Sequence, residues 1–387
     1  MKIITIVGAR PQFIKAAAVH RAIEQHHRRG PSLRESHYKK RLREIWVHTG
    51  QHYDILMDKV FFDELQLPKP AYHLGVGSGS HGKQTGLMLE RIEVVLEKEK
   101  PEAVIVYGDT NSTLAGALAA AKRHIPVAHI EAGLRSHNRN MPEELNRIVT
   151  DHLSTFLFCP TDLAVRNLSN EGIRESRSKI VRNVGDVMYD SILYYSKMAE
   201  EKSTVIKDLN LYFSTPNSEL RTPNYYLATL HRAENTDDPQ RLKSILRALD
   251  EIGRNHPVVL PLHPRTRKRM EVHFLFSRFV NIKFIEPVSY LDMLALEKNA
   301  RAILTDSGGV QKEAYWFNIP CLTLREETEW VETIKSGWNQ LVGIERKKIV
   351  QAVHDLEKKR PFKRGGMIFG EGRASEKIVR ILLEWFR

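Results

Sequence analysis

Short runs of β-branched and aromatic residues alternate along the chain with longer segments in which apolar residues recur at helical spacing. In the first half the predicted strands are Ile3–Val7, Ile45–His48, Ala103–Tyr107, Val127–Ile130 and Phe156–Cys159. Helix-like sequence follows them, over Phe13–Glu24, Ile55–Glu64, Ser112–Lys122 and Glu143–Leu153. Because the strands are continuous apolar runs between helices, they predict a parallel sheet that helices cover on both faces.

The same alternation starts again after a polar stretch from about Lys202 to Asn224. The predicted strands of the second half are Tyr225–Leu230, Val258–Leu262, Ile282–Ile285, Ala302–Leu304 and Cys321–Leu324. The helices between them include Gln240–Ile252, Tyr290–Lys298 and Val310–Phe317. Two successive βα series predict an α/β fold with two doubly wound, Rossmann-like domains that face a cleft. The last segment, Ala374–Arg387, is predicted to be an amphipathic helix that packs against one of the two domains.

The charge balance narrows the range of partners only a little. The chain has 387 residues, with 59 Lys+Arg and 47 Asp+Glu, so its net charge is +12. An excess of cations suits a phosphate-bearing partner, either nucleic acid or a small anion. Seven Lys/Arg and two acids lie between His26 and Glu44. This stretch has one aromatic residue, Tyr38, to stack on bases, so it indicates a solvated insertion rather than a nucleic-acid-binding arm.

The cysteines and the apolar runs exclude several classes of protein. Cys159 and Cys321 lie far apart in apolar surroundings, which excludes a disulfide framework and a Cys-rich zinc site and fits a reducing compartment. No apolar run approaches the length of a membrane span, and Met1–Val7 is too short for the core of a signal peptide. His48 and His52 are four residues apart, but His48 ends a predicted strand, so no metal site is expected. A cytoplasmic protein without membrane contact is predicted.

Three carboxylates of the first half occupy positions where α/β proteins bind ligands. Asp109 and Glu131 each follow an apolar strand, and Glu143 lies in the first turn of a predicted helix. Ligands bind at the carboxyl ends of the strands in open α/β sheets, and clustered carboxylates suit acid–base chemistry. The alternatives are an ion pair between Glu131 and Arg135 and, for Glu143, the ordinary preference of acids for a first helical turn.

Cations follow the first predicted strand. Gly8 begins the segment GARPQ, which contains Arg10, and Lys15 lies a turn later. A glycine permits a tight turn here, and the free N–H groups of a helix start favour an anion. The alternative is an ordinary strand-to-helix turn with solvent-facing cations. The motif is not GxGxxG, so no nicotinamide site is expected.

The strongest motif of the second half is Ser307-Gly308-Gly309, which lies between a predicted strand and a predicted helix. Two glycines allow phosphate oxygens to approach backbone N–H groups at the helix start. Glu313 lies one turn further on, where it can accept hydrogen bonds from two ribose hydroxyls, and Arg325 can neutralise phosphate. The Walker lysine spacing is absent, so this is not a P-loop. A nucleoside-diphosphate site is favoured over a plain glycine turn.

His231 and Arg232 end the first predicted strand of the second half, where both can contact a diphosphate. His231 can also protonate or stabilise a leaving oxygen. The alternative is a surface histidine, which the adjoining Arg232 and the strand-end location make less favoured. The chain has no GxSxG segment, so a serine nucleophile is not expected.

These motifs resemble those of the non-hydrolysing UDP-N-acetylglucosamine 2-epimerases, and the resemblance runs through nearly the whole chain. In order, it is carried by GARPQFIK, HTGQHYD, GDTNSTLAGALAA, HIEAGLRS, MPEELNRIVTDH, NVGDVMYDS, TLHRAEN, LHPRT, DSGGVQKEA, LREETEW, GWNQLVG and FGEGRASEKI. Two stretches look longer than the family pattern, around Arg28–Arg43 and over Lys202–Asn224. Neither touches a motif.

The resemblance implies a glycosyltransferase-B-like fold of two Rossmann-like halves, with the last helix returning to the first half. The corresponding domains are residues 1–185 with 372–387, which carry the catalytic carboxylates, and residues 186–371, which bind the UDP moiety. The resemblance also implies a homodimer that interconverts UDP-GlcNAc and UDP-ManNAc and needs no added cofactor.

The resemblance assigns roles to residues that match the family's motifs. The predicted catalytic residues are Asp109, Glu131, Glu143 and His231. The predicted substrate- and UDP-binding residues are Arg10, Lys15, Arg135, Arg232, His263, Ser307, Gly308, Gly309, Glu313 and Arg325. A second, activating substrate site is predicted near Gln51, Arg232 and His263.

The expected reaction is an elimination followed by a re-addition, because the C2 proton of the sugar is not beside a carbonyl. UDP leaves C1 as the C2 proton is lost, and UDP then adds back while a proton arrives on the other face of C2. Sequence alone leaves open a hydrolysing relative that releases ManNAc and UDP, a UDP-diacetamido-sugar 2-epimerase and a UDP-sugar glycosyltransferase. A basic nucleic-acid-binding protein is less favoured, because the cations fall in separated clusters without interleaved aromatic residues.

Overall fold

The computed structural model describes residues 1–29, 42–51, 61–213, 222–358 and 367–386. The chain divides into two compact units, Met1–Leu193 with Met367–Arg387, and Tyr194–Gly366. Each unit is built on a parallel β-sheet and buries its own apolar clusters.

The first unit contains a seven-stranded sheet. Its strands are β1 (Lys2–Val7), β2 (Arg43–His48), β3 (Tyr72–His73), β4 (Ala103–Tyr107), β5 (Val127–Ile130), β6 (Phe156–Cys159) and β7 (Ile180–Asn183). They are parallel throughout and follow the order β3-β2-β1-β4-β5-β6-β7. The order reverses between β1 and β4, so the loops after these two strands lie on either side of a topological switch point.

The helices of the first unit alternate with these strands. They are α1 (Arg10–Arg29), α2 (His81–Glu99), α3 (Asn111–Lys122), α4 (Pro142–Leu153), α5 (Asp162–Asn170) and the part up to Leu193 of α6 (Val187–Lys202), which continues into the second unit. Helix α3 is rich in alanine and packs against both α2 and α4, because small side chains allow helices to approach closely. Residues 61–64 are also helical, while the rest of the predicted helix Ile55–Glu64 lies outside the described residues.

The second unit contains a six-stranded parallel sheet and a short antiparallel pair. The pair is β8 (Tyr212–Phe213) and β9 (Thr222–Pro223), and the sheet strands are β10 (Tyr226–Thr229), β11 (Val258–Pro261), β12 (Ile282–Ile285), β13 (Ala302–Thr305), β14 (Cys321–Thr323) and β15 (Asn339–Leu341). The sheet order is β12-β11-β10-β13-β14-β15. Its switch point lies between β10 and β13, so the segments after these strands are placed to bind a ligand.

Helices cover this second sheet. They are α7 (Val205–Asp208), α8 (Ala233–Thr236), α9 (Pro239–Gly253), α10 (Pro264–Val272), α11 (Tyr290–Asn299), α12 (Gly308–Phe317), α13 (Val331–Lys335) and α14 (Arg346–Lys358), with a 3₁₀ turn at Phe276–Arg278. A large buried cluster lies between the sheet and helices α9 and α14.

The last helix, α15 (Ala374–Trp385), belongs to the first unit. Its first turn donates backbone hydrogen bonds to Asp190, from Ala374 at 3.1 Å and from Ser375 at 2.8 Å. At its other end the Trp385 ring packs edge-on against Phe156, with ring centroids 5.1 Å apart. The helix buries one largely apolar face, which explains the amphipathic pattern of the segment.

The basic stretch after α1 is described only at its two ends, because residues 30–41 lie outside the described residues. Glu44 lies in β2 and is not part of a solvated insertion. Its carboxylate accepts a hydrogen bond from Thr5 Oγ1 at 2.6 Å and pairs with His20 Nδ1 at 2.7 Å. In the part of the chain that the structure describes, no helix has both the length and the apolar character that a membrane span requires.

Candidate active site

The loop after β1 is closely packed at the switch point of the first sheet. A Cβ atom on Gly8 would overlap Thr49 Oγ1 and Ser112 Oγ, so this position accepts only a residue without a side chain. The Gln12 side chain accepts a hydrogen bond from Gly8 N at 2.8 Å and donates one to Tyr107 O at 2.9 Å. Through these two hydrogen bonds it connects the loop after β1 to the end of β4. Gln12 belongs to the GARPQ segment, but no role was predicted for it from the sequence.

Lys15 and Glu131 form a buried ion pair in this unit. The Nζ atom of Lys15 contacts Glu131 Oε2, and the two side chains are only 8% and 7% exposed. Gly108 lies directly against the pair, since a Cβ atom there would be 3.1 Å from Lys15 Nζ and 3.2 Å from Glu131 Oε2. Glu131 therefore pairs with Lys15, whereas Arg135, the partner considered from the sequence, pairs with Asp151 and Glu171.

The backbone of Glu131 is strained. Its φ angle is +75°, in the left-handed region that a glutamate rarely adopts. The N–H groups of Glu131 and Ala132 both lie 3.1 Å from the carbonyl oxygen of Phe158, at the end of β6. Such strain persists where surrounding contacts fix it, and it clusters at functional sites.

Asp109 is bound to helix α4. Arg147 Nη2 donates to Asp109 Oδ2 at 2.6 Å, and Asn146 Nδ2 donates to the Asp109 carbonyl at 2.9 Å. The Asp109 side chain is 30% exposed, so part of its carboxylate remains accessible. Glu143 lies in the first turn of the same helix, and this position places Glu143 at the same edge of the sheet.

The two neighbouring glutamates at the start of α4 differ in their surroundings. Glu144 is buried and accepts backbone hydrogen bonds from Ser136 and His137, each at 2.9 Å, and it pairs with Arg147 at 3.1 Å. It fixes the preceding loop. Glu143 is partly exposed, so its carboxylate can reach a ligand.

A buried network supports the loops that carry Glu131 and Asp109. His129 Nδ1 lies 2.7 Å from Asp151 Oδ1, and His129 Nε2 lies 2.7 Å from the carbonyl oxygen of Gly108. Arg135 donates to Asp151 Oδ2 at 2.7 Å and to Glu171 Oε1 at 2.6 Å. Burial alone would raise the pKa of Asp151, but His129 and Arg135 outweigh it and lower that pKa.

Arg135, which was predicted to bind substrate, lies among buried carboxylates. Its side chain is only 1% exposed, and both Asp151 and Glu171 neutralise it. Burial opposes its charged form, but these two carboxylates prevail and raise the pKa of Arg135. Arg135 therefore belongs to the network around Asp151, and its contact with substrate stays a prediction.

Two further predicted residues of the first unit have local partners. The Arg10 guanidinium lies 4.8 Å from the centroid of the Phe61 ring and is partly exposed. Gln51 Oε1 accepts hydrogen bonds from Ser112 N at 3.0 Å and Ser112 Oγ at 2.7 Å, at the start of α3.

In the second unit, Asp306 organises the loop after β10. Its fully buried carboxylate accepts hydrogen bonds from the backbone N–H groups of His231 and Arg232, both at 3.1 Å. It also accepts one from the side-chain Nδ2 of Asn235 at 3.2 Å. Asp306 belongs to the DSGG segment, but no role was predicted for it from the sequence. Asp306 lies between two strand ends and beside a glycine pair, and this position is the sequence signal from which its role could have been predicted.

The imidazole of His231 lies among cations. Its Nδ1 is 3.3 Å from Asp306 Oδ1, and its ring centroid is 5.7 Å from that of His263. Burial lowers the pKa of His231, the guanidinium groups of Arg232, Arg325 and Arg265 lower it further, and Asp306 opposes them. The neutral imidazole therefore predominates around neutral pH.

The glycine pair begins helix α12. Ser307 caps the helix by accepting a hydrogen bond from Val310 N at 3.4 Å, and Gly308 and Gly309 form its first turn. The first N–H groups of a helix have no partner within it, so they are available to an anion. A Cβ atom on Gly308 would lie 3.1 Å from Trp330 Nε1, which explains a small residue there.

Arg325 and Glu329 lie beneath Arg232. The Arg325 side chain is 1% exposed and donates to Glu329 Oε2 at 3.1 Å and to Glu234 Oε1 at 3.2 Å. Glu329 Oε1 is 3.8 Å from Arg232 Nη2. Arg325 therefore supports Arg232 through Glu329, and Arg232 has the more exposed guanidinium.

The remaining predicted residues are placed as follows. Glu313 is 5% exposed on α12, with Tyr290 Oη 3.5 Å from its Oε1. His263 caps α10 and accepts a hydrogen bond from Arg265 N at 3.2 Å. Gln51 lies in the first unit whereas Arg232 and His263 lie in the second, so their grouping in a second substrate site stays a prediction. Within the described ranges, no three His, Cys, Asp or Glu side chains are grouped to bind a metal ion.

Comparison with known families identifies the chain. A family model described as UDP-N-acetylglucosamine 2-epimerase matches residues 34–383. The chain belongs to this family. The resemblance inferred from the sequence motifs is thereby confirmed.

Relatives match this epimerase family member over almost their whole length. A protein of Methanococcus maripaludis named as a UDP-N-acetylglucosamine 2-epimerase homolog is 51% identical, with 99% of each chain covered. The UDP-2,3-diacetamido-2,3-dideoxy-D-glucuronate 2-epimerase of Pseudomonas aeruginosa is 50% identical, again with 99% of each chain covered.

A solved structure shows the same fold. The UDP-GlcNAc 2-epimerase of Methanocaldococcus jannaschii, crystallised with UDP-GlcNAc and UDP, superposes with a TM-score of 0.86 at 45% identity, covering 99% of this chain and 100% of that one. Together with the two parallel sheets, this match confirms the predicted α/β class of glycosyltransferase-B type.

Proposed function

We propose that the protein is an isomerase that interconverts UDP-N-acetylglucosamine and UDP-N-acetylmannosamine, without net hydrolysis. The observation that carries the proposal is the buried pair of Lys15 and Glu131 beside Gly108 and Asp109, in a chain of the UDP-N-acetylglucosamine 2-epimerase family. The 45% identical relative of known structure was crystallised with UDP-GlcNAc and UDP, which supports the same substrate class here.

The chemistry requires two proton-transfer groups. In the first step a base takes the C2 proton, the C1–O bond breaks and its electron pair leaves with UDP, giving 2-acetamidoglucal. In the return step a diphosphate oxygen forms a bond to C1, and an acid delivers a proton to the opposite face of C2. A positioned carboxyl group on each face of the sugar meets this requirement.

The carboxylates of the first unit are suited to these roles. Glu131 serves one face of C2, and either Asp109 or Glu143 serves the other. Lys15 compensates the charge of the buried Glu131 carboxylate, which would otherwise be costly to bury. The ion pair with Arg147 orients Asp109 while leaving part of its carboxylate exposed.

The second unit supplies groups suited to UDP. The free N–H groups of Gly308 and Gly309, with His231 and Arg232, bind the diphosphate. Glu313 accepts hydrogen bonds from the ribose hydroxyls. This arrangement stabilises the charge on UDP between its departure and its return.

Proton NMR of UDP-GlcNAc incubated with the protein in heavy water tests the proposal. We expect UDP-ManNAc to appear and deuterium to enter C2 of both epimers. Free ManNAc and UDP without UDP-ManNAc would indicate a hydrolysing enzyme instead. Neither exchange nor a new sugar would reject the proposed reaction.

A second candidate substrate is the UDP-diacetamido sugar that the 50% identical Pseudomonas aeruginosa relative is named for. It requires the same C2 chemistry and differs in the groups on C3 and C5. Comparing kcat/KM for the two substrates in one assay decides between them, because this ratio measures discrimination directly.

We also propose that the enzyme works as a homodimer in the cytoplasm. Buried, unpaired Cys159 and Cys321 fit a reducing compartment, and burial raises the pKa of both thiols, which makes them unreactive. Light scattering on the purified chain measures its mass in solution, and a mass of one chain would contradict the dimer.

A further inference from the structure

A cavity of about 270 Å³ lies on the second unit, between α9, the 3₁₀ turn Phe276–Arg278 and the start of α14. The buried side chains of Leu275 and Phe279 line part of it, and charged side chains line much of the rest. These residues are different from those of the candidate active site. The cavity is therefore a separate place at which the second unit can bind a ligand.

Cationic side chains from three segments converge on this cavity. Three of them come from α9 and its end, one from the 3₁₀ turn and one from the start of α14; they are Lys243, Arg247, Arg254, Arg278 and Arg346. A sphere of this volume is about 8 Å across, close to the Debye length at physiological ionic strength, so salt screens the lining charges only in part. An anion in the cavity is therefore attracted by all five cations.

The two carboxylates at the cavity already have partners. Asp250 accepts hydrogen bonds from Asn281 N at 2.9 Å and from Asn281 Nδ2 at 3.2 Å. Glu251 accepts one from Arg346 Nε at 2.6 Å. The lining of five cations and two acids has a net charge of +3, and within the described ranges the four cations other than Arg346 form no ion pair. Like charges held this close repel one another, so an anion bound among them is stabilised.

We propose that this cavity binds a small diphosphate, at a site separate from the nucleotide site. Because one phosphate group carries about 1.5 to 2 negative charges, two phosphate groups are needed to neutralise a lining of +3. The guanidinium groups of Arg247, Arg254 and Arg278 are suited to phosphate oxygens, since a guanidinium can donate two parallel hydrogen bonds to one phosphate group.

The size of the cavity limits the rest of the ligand. Cavities that enclose a drug-sized molecule measure about 300–1,000 Å³, so this cavity of about 270 Å³ is too small for a UDP-sugar and has room for little beyond two phosphate groups. Leu275 and Phe279 offer an apolar surface to a small addition. The ligand is therefore inorganic pyrophosphate or a diphosphate that carries a short apolar group.

Equilibrium dialysis of the full chain against labelled pyrophosphate tests the proposal. UDP is present at saturating concentration, so that pyrophosphate bound at the nucleotide site is not counted. Arg247→Gln and Arg278→Gln each remove one cation of the cavity, at exposed side chains where substitution has little effect on folding. Lys207→Gln, at an exposed side chain of α7 in the same unit, removes one positive charge outside the cavity and is the matched control.

We expect the wild type and the control to bind about one pyrophosphate per chain, and each cavity variant to bind it about 10-fold more weakly, the scale of one charge-assisted hydrogen bond. If the wild type binds pentyl diphosphate more tightly than pyrophosphate, the ligand carries an apolar group; equal or weaker binding identifies pyrophosphate itself.

Two results would overturn the site. One is a wild type that binds no pyrophosphate, or that binds it no more tightly than both cavity variants do. The other is a loss of affinity in Lys207→Gln equal to that of the cavity variants, because the charge of the whole protein would then be responsible for binding.

Discussion

Glu131 combines two features that are unfavourable for folding, a left-handed backbone and a buried carboxylate. A strained φ angle of this kind costs on the order of 1–3 kcal/mol. The ion pair with Lys15 and the hydrogen bonds to Phe158 O offset this cost locally. A residue that served only packing could avoid the strain as a glycine, so the side chain is the reason for the conformation.

Glu131→Gln should leave the fold intact and remove proton transfer at C2. The amide fills the same space and still accepts a hydrogen bond from Lys15, but it is a poor base. We expect exchange of solvent deuterium into the sugar to fall by about 100-fold or more, the usual contribution of a general base, while UDP affinity changes little. Glu97→Gln, at a side chain 58% exposed, is the control. Exchange at the wild-type rate would reject the assignment.

His231→Asn keeps a hydrogen-bonding group but loses the ionisable ring. We expect weaker UDP binding and about 10- to 100-fold slower turnover, because the ring contacts the leaving diphosphate in the proposed mechanism. The pKa of His231 is lowered in the folded state, so the unfolded chain takes up a proton first as the pH falls. The unfolding free energy of the wild type, relative to the variant, should therefore fall below about pH 6.5. Equal UDP affinity and turnover would remove His231 from the site.

At the scale of elements, helix α4 connects the carboxylate loops. Near its start it binds Asp109 through Arg147, and at its end Asp151 bonds to His129 in β5 and to Arg135. One helix thus fixes the loops after β4 and β5 relative to each other. Its buried Arg147 and Asp151 have oppositely charged partners, which explains why charged residues occur on a helix face that packs inside the protein.

Asp151→Asn should destabilise the first unit strongly. Arg135 and His129 would lose a buried anionic partner, and breaking such a pair costs about 3–5 kcal/mol. The pKa of Asp151 is lowered in the folded state, so its contribution is complete above the ordinary aspartate value and disappears as the pH falls through the lowered one. The gap in unfolding free energy between wild type and variant should therefore narrow below about pH 3.9. A gap that stays constant with pH would contradict the ionised network.

At the scale of the whole molecule, the sequence predicts the inner strands of the first sheet well and most edge strands poorly. β4, β5 and β6 match their predicted limits, because continuous apolar runs report burial directly, and the edge strand β12 matches as well. β3, β7 and β15 were not predicted. They are short strands at sheet edges, with polar residues, and only pairing with a neighbour makes them strands.

The candidate site, too, is only partly predictable from the sequence. Its strand-end positions are visible in the sequence, because topology alone brings them to one edge of a sheet. The hydrogen-bond and ion-pair partners of these residues are not visible in the sequence, since 116 residues separate Lys15 from Glu131 and 75 separate His231 from Asp306. Partner choice at such separations is a property of the folded chain.

Hydrogen exchange measured over the whole chain can test which part of the substrate each unit binds. UDP adds contacts where N–H groups and cations suit a diphosphate, so UDP alone should protect residues 230–236 and 307–313 most strongly. UDP-GlcNAc brings the sugar as well, and it should add protection at residues 108–112 and 131–135, where the carboxylates lie. Protection of the carboxylate loops by UDP alone, with residues 307–313 unchanged, would reverse the assignment, because the nucleotide would then occupy the first unit.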